Sequence, residues 1–439
     1  MSDLEKSLYD EEIPLSKKVG GPSMADLLSE SDQLYTRVAG GTDLLAKIEN
    51  VTEHLEEIAA VTSQESGLSD YSRSLISNVH KTLTGQPFMA DRLLALESVD
   101  GADNEFKDGV VAEIQKNTLN EFLVGLKSTF YSSWGDTKSW YAKAVSLREA
   151  IDKKNKDTMD RSSKVTGDPK TLEFIFKENV DVDNNGKCSY QEILVGMEAL
   201  VAYTEKRLSA KVDKEYEDFV VGIQRVIDGY KTKGEADQTE LLKYKDLYTP
   251  PPEVLTSKLE DKTVVEKLTD SENADLSQTR RFPGAAYVVI SKPSAQSGAT
   301  PYSFIEDTWA KLYVEDQGEK KNEVHVRTFY PNQILHMSEL IGQLLDSLGY
   351  FDKSWERRDK FMTKVFTSLD KTISLLSEKL TDSSQDKKTD EELRGLTRMM
   401  IRSIQLDNTF NSMLINFVIK ISAQLNELNN VCLLQYNQG

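Results

Sequence analysis

The sequence predicts a mainly α fold, an elongated multi-helix body with a small antiparallel β insert (α+β). Three observations carry this. Leu44, Ile48, Val51, Leu55 and Ile58 step by 4, 3, 4, 3, and Leu414, Val418, Ile421, Leu425 and Leu428 repeat those steps, which draws one apolar stripe along each of two helices. Between them, PGAAYVVIS is β-branched and aromatic, while WAKLYVED and NEVHVRTFY alternate apolar with polar, the period of half-buried strands. The run TPPPE, with Pro250, Pro251 and Pro252, cannot lie inside a helix and marks an exposed crossing.

Taken in order, residues 1–97 form an acidic, helix-prone segment. A second short helix is expected from Tyr71 to Leu83, ended by Gly85 and Pro87. FMADRLLALESVDGADNEF then dissolves into small and acidic residues, which is linker chemistry. Residues 98–165 read as a helical arm with Phe122, Leu126, Phe130, Trp134 and Trp140 as its large side chains, expected to serve as a packing face. Residues 166–275 read as a helical region, with two or more helices around the loop DVDNNG and the Pro-rich crossing after them. Residues 276–331 are the β insert, expected as one antiparallel sheet of about three strands, too small for a core of its own. Glu315 to Asn322 would be a charged turn joining the last two strands. Residues 332–439 are expected to form a C-terminal helical bundle. Its seam packs either within the chain or, by self-association, on a second copy.

Composition narrows the function. The 439 residues carry 72 Asp and Glu against 54 Lys and Arg, a net charge of −18, which argues against nucleic acid as the main partner. The basic pairs Lys153-Lys154, Arg280-Arg281 and Arg357-Arg358 are expected to be solvated surface. Two cysteines, Cys188 and Cys432, make neither a disulfide framework nor a zinc site and suit a reducing compartment. The acidic start MSDLEKSLYDEE is unlike a secretory signal. The best apolar run, Met413 to Ile421, contains Asn416 and Lys420 and falls short of the ~20 residues a membrane span needs. A soluble intracellular product, with no membrane partner, is the expectation.

One loop carries recognisable chemistry. Calcium takes roughly six to eight oxygen ligands, which a twelve-residue loop offers from fixed positions. In DVDNNGKCSYQE, Asp181, Asp183 and Asn185 stand at positions one, three and five, and Gly186 allows the turn at six. Lys187 gives its carbonyl at seven, Ser189 acts at nine, and Glu192 closes the site at twelve. Leu172, Ile175 and Phe176 before the loop, and Ile193, Leu194 and Met197 after it, suit flanking helices. Such loops normally brace each other in pairs, and no second one exists, so a single structural Ca2+ that pins a helix corner is preferred to a sensor. An Asx-rich connection needing no metal is the alternative. For an enzyme the sequence offers little. His54, His80, His325 and His336 share no ligand spacing, neither cysteine has a histidine nearby in sequence, and no GxSxG or phosphate-cradling motif occurs. His325, between Val324 and Val326, should face the polar side of a strand.

The order of segments resembles the internal head (inner body or core) proteins of giant tailed bacteriophages. YSRSLISNVHKTLTGQPFMADRLLALESVDG is similar to their junction, where a Gly/Pro break precedes a small residue, any residue and Glu, then Ser. Here Ala95, Leu96, Glu97 and Ser98 match. The Trp- and Lys-containing arm EFLVGLKSTFYSSWGDTKSWYAKAVSLREA, the Pro-Gly opening of RFPGAAYVVIS and the helical LRGLTRMMIRSIQLDNTFNSMLINFVIKISAQLNEL follow in the family's order. The resemblance implies a non-enzymatic virion protein made in the host cytoplasm. Residues 1–97 would be a propeptide that directs it into the prohead and is cut after Glu97 by the prohead protease. Its implied partners are other head and core proteins, with packaged DNA nearby but no sequence-specific binding, and it is either retained in the head or ejected with the genome. The family's arms are often more basic, and the calcium-like loop is no part of its pattern. Ser63-Gln64-Glu65, Gly196-Met197-Glu198 and Ser354-Trp355-Glu356 also fit the tripeptide, but the last two are expected within helices, where a protease finds backbone poorly. Residues 1–97 hold 17 of the acidic and 8 of the basic residues, a net of −9 and half that of the chain, so their removal would lessen repulsion from DNA. The competing readings are a calcium-binding regulatory or interaction protein that works through residues 181–192, and a DNA-modifying or cell-wall enzyme carried in the virion, for which the sequence offers no residues.

Overall fold

In the computed structural model the described residues are 134–233, 252–256, 274–293, 308–315, 324–380 and 387–436. Helix α1 covers 134–162. The short strands β1 (Glu173–Phe176) and β2 (Lys187–Cys188) flank the acidic loop, and α2 (Tyr190–Arg207) and α3 (Ala210–Lys233) follow. After a turn of 3-10 helix at Pro252–Val254 come β3 (Leu255–Thr256), β4 (Ala274–Thr279), β5 (Ala286–Pro293), β6 (Trp309–Val314) and β7 (Val324–Arg327). Two long helices close the order, α4 (Pro331–Leu380) and α5 (Lys387–Leu434), of 50 and 48 residues. The described part is thus mainly α, with a small antiparallel sheet. None of its helices is long and apolar enough to cross a membrane.

The strands depart from expectation. The last strand of the expected insert, β7, does not pair with its neighbour β6. It lies between β1, antiparallel, and β2, parallel, in a separate three-stranded sheet. β3 to β6 form a four-stranded antiparallel sheet in chain order. Strands therefore reach into the region read as helical: β1 and β2 lie beyond residue 166, β3 holds Leu255 and Thr256, and β4 straddles 275 and 276. The cause is physical. Leu172, Ile175 and Phe176 mimic one helix face, but they are held extended by a partner strand about 150 positions away, and such long-range pairing leaves no local mark. Of the charged turn expected from Glu315 to Asn322, only Glu315 falls within the described residues.

The core sits where α1, α2, α3 and both sheets pack on α4 and α5. The C-terminal seam is filled within the chain: Leu414, Val418, Ile421, Leu425 and Leu428 are all at most 1% exposed. A second seam, polar this time, runs along the same helix. Thr158 of α1 donates to Asn426 Oδ1 at 3.0 Å, Arg161 donates to Asn430 Oδ1 at 3.0 Å, and Asn429 Nδ2 donates to Ser338 Oγ of α4 at 3.1 Å. Asn155 of α1 donates to the Ser338 carbonyl at 2.7 Å. A buried amide without partners costs on the order of 1–3 kcal/mol, so these contacts fix how the three helices meet. Farther along, Trp134 and Tyr141 of α1 stack on Trp355 of α4, and Trp134 Nε1 donates to Asp359 Oδ1 at 2.9 Å. The expected packing role of the aromatic arm is therefore seen at Trp134, Trp140 and Tyr141. Phe329 N–H donates to Cys432 Sγ, and Tyr436 OH to the Phe329 carbonyl, so the start of α4 meets the end of α5 and the two helices run antiparallel.

Candidate functional site

Ala95, Leu96, Glu97 and Ser98 lie outside the described residues, as does Ser63-Gln64-Glu65. Gly196-Met197-Glu198 lies in α2 and Ser354-Trp355-Glu356 in α4, both helical as expected.

The loop 181–192 is described in full. Asp181 is 1% exposed, and its two carboxylate oxygens accept main-chain N–H groups, Oδ1 from Asp183 at 3.0 Å and Oδ2 from Gly186 at 2.6 Å. These bonds wind the loop around one carboxylate. The winding needs left-handed backbone, taken by Asn184 (φ 56°) and Gly186 (φ 77°), residue types that tolerate it. Asn185 Oδ1 accepts from the Lys187 N–H at 2.8 Å. His325 N–H donates to the Gly186 carbonyl, so strand alternation turns the main chain of Lys187 away from β7 and toward the loop interior. Glu192 forms a capping box with Ser189. Its Oε2 accepts from both the Ser189 N–H and Oγ–H at 2.8 Å, while Ser189 Oγ accepts from the Glu192 N–H.

The entry to the loop corrects the sequence reading: β1 comes before it, not a helix. Bracing by a paired loop is replaced by β7 and by the turn before β5. Ala285 N–H donates to the Asp181 carbonyl at 2.7 Å. Glu315 links the loop to the four-stranded sheet, since Oε2 accepts from Asn184 Nδ2 at 3.4 Å and Oε1 pairs with Arg281 at 2.6 Å. Arg281, read as solvated surface, has only 19% of its side chain exposed. Glu315, Arg281 and Ala285 escaped sequence reasoning because they lie ~100 or more positions downstream in unremarkable contexts. A Pro-Gly turn was the one signal, and it carries Gly284 (φ 82°) and Ala285 (φ 51°).

Among the described residues no group of three or more His, Cys, Asp and Glu is placed to hold a metal ion. Glu192 would have to leave the capping box to supply the two oxygens that close a calcium loop. The geometry gives a connection held by Asx turns and a cap, tied to both sheets.

The two thiols are buried. Burial pushes Cys188 far above the ordinary thiol range, and the carboxylates of Asp181, Glu192 and Asp183 add to it. Burial pushes Cys432 up to about 12, against the bond from Phe329 N–H. A thiol so raised is a poor nucleophile. His325 is exposed on its strand, as expected, and His336 Nδ1 lies 2.8 Å from the Tyr190 hydroxyl. Compared with family models, curated proteins and solved structures, the chain matches none.

Proposed function

We infer that this is a structural, non-enzymatic internal head protein of a large tailed phage, made with an N-terminal propeptide that is removed after Glu97. The observation that carries the reading is the order of segments: an acidic stretch, Ala95-Leu96-Glu97 with Ser98 in linker sequence, then the aromatic arm, the Pro-Gly strand and the helical end. Buried thiols and a helix interior locked by amide contacts suit a packing component. The body, built on two long helices, would be elongated. It would sit with other head and core proteins near the packaged DNA, held by protein contacts and not by base recognition.

The test is mass spectrometry of the protein's N-terminus in purified particles. A peptide that begins at Ser98, with nothing upstream, supports both the location and the processing. Absence from particles overturns the reading.

A second reading has its own support. The donor order of residues 181–192 and the toroidal winding about Asp181 suit a Ca2+ loop that would close if Glu192 swung in. Calorimetry with calcium on the full chain, with Glu192→Gln as control, decides it. Equal heats for the two proteins end the calcium reading.

A further inference from the structure

We propose that Asn185 is a site of spontaneous covalent modification, where the Gly186 nitrogen displaces the side-chain amide, and that Asp181 is the lock that holds the reaction back. The inference stands apart from the proposed function. Asn185-Gly186 is the only Asn-Gly pair in the sequence. Asparagine is thermolabile, and most of all before glycine, where no Cβ hinders the approach of the next main-chain nitrogen. Asn185 is exposed, so water reaches its side chain. In the reaction the Gly186 nitrogen loses its proton to solvent base and bonds to Asn185 Cγ. The bond from Cγ to Nδ2 breaks, and the leaving group takes up a proton and departs as ammonia. Water then opens the cyclic imide at either carbonyl, which gives aspartate or isoaspartate.

The folded loop denies the first step. Gly186 N–H donates to Asp181 Oδ2 at 2.6 Å, and Asp181 is 1% exposed. The nitrogen reacts only after losing that same proton, and a carboxylate beside it disfavours the amide anion. The bond also fixes the peptide plane between Asn185 and Gly186, which must turn to bring the nitrogen onto Cγ. Two more bonds hold the flanks. The Gly186 carbonyl accepts from His325 N–H of β7 at 3.0 Å, and Asn185 Oδ1 accepts from Lys187 N–H at 2.8 Å. The reaction therefore runs from an opened loop, at a rate set by how often Asp181 releases Gly186. It runs one way. Either product adds negative charge beside Asp181 and Asp183, and isoaspartate also puts an extra methylene into the main chain. A loop so altered no longer matches the braces from β7 and from the turn before β5. Modified chains accumulate as a record of loop opening.

The test follows isoaspartate at position 185 by peptide mapping of the full chain, incubated at mildly alkaline pH. The native chain should form it far more slowly than the chain unfolded in urea. The ratio of the two rates should match the hydrogen-exchange protection of the Gly186 amide, since one opening exposes both. Asp181→Ala, shown to be folded by circular dichroism, should speed the native reaction by roughly ten- to a hundred-fold, the factor that a hydrogen bond to a charged group is worth. Asn184, which precedes asparagine and not glycine, should react far more slowly than Asn185 in the unfolded chain. The comparison of rate ratio with exchange protection uses the unaltered chain, so it stands even where the variant fails to fold. Equal rates in native and unfolded chains, no isoaspartate in urea, a ratio unlike the Gly186 protection, or an unchanged rate in folded Asp181→Ala would overturn the proposal.

Discussion

Asp181 shows how one side chain can set a local structure. Buried, it gathers the N–H groups of Asp183 and Gly186, and its own carbonyl takes that of Ala285. Hydrogen bonds to a charged group contribute about 1.5–3 kcal/mol, so Asp181→Ala should lower stability by roughly that amount in urea titrations. Glu192→Gln should cost little, because glutamine also serves a capping box. Gly196 makes a different point. A Cβ there would meet Pro283 Cδ at 3.1 Å and the Arg281 carbonyl at 3.2 Å, so α2 lies directly on the turn before β5. Gly196→Val should therefore destabilise by about 1–3 kcal/mol through overpacking, with a matching drop in the urea midpoint. The donor order of residues 181–192 was legible in the sequence. The partners that hold those residues were not, because Glu315, Arg281 and His325 reach the loop only through tertiary pairing.

At the scale of elements, the long helices and the final seam were legible, since period 4, 3, 4, 3 is a local pattern and Leu414 to Leu428 fulfil it in the core. β1 was not. Its apolar spacing satisfies a helix template, and only β7 shows it to be a strand. The polar seam of α5 was equally hidden, because the spacing of Asn426, Asn429 and Asn430 carries no sign of the α1 and α4 groups they meet. The contact of α1 with α4 is also pH-sensitive. Burial pushes the Asp359 carboxyl up, but bonds from Lys138 and Trp134 outweigh this and hold it below the usual carboxylate range. A carboxyl lowered in the folded state contributes stability that is present above its unfolded pKa, near 4, and is lost as pH falls through its folded value. Acidification below about pH 4 should therefore loosen the Trp134–Trp355 stack first, followed by tryptophan fluorescence. Asp359→Asn, which keeps an acceptor for Trp134 but not the ion pair, should remove that step.

At the scale of the molecule, the described core joins the arm, both sheets and the helical hairpin, so the segments that the sequence separates as arm, insert and bundle meet in one interior. Tyr436 illustrates the coupling. Its hydroxyl donates to the Phe329 carbonyl, and burial, with Cys432, Tyr330 and Asp168 nearby, pushes it up to about 12. A group raised in this way favours the folded state at lower pH. Its contribution should fade as pH climbs from the ordinary tyrosine value near 10 toward 12, seen as a falling urea midpoint that Tyr436→Phe no longer shows.

The bond between Thr158 and Asn426 spans 268 positions. During synthesis at roughly 5–20 residues per second, α1 would wait on the order of 10–50 s for the helix that completes its surroundings. Until then Trp140, Leu147 and Ile151, all at most 1% exposed in the finished chain, lack the α5 side of the interior they belong to. Ribosome-bound chains arrested before residue 410 should accordingly be cut within α1 by proteases that spare the released protein. The newborn polypeptide would then suit holding chaperones, with a vulnerable period set by the distance along the chain between the first and last helices of the described core.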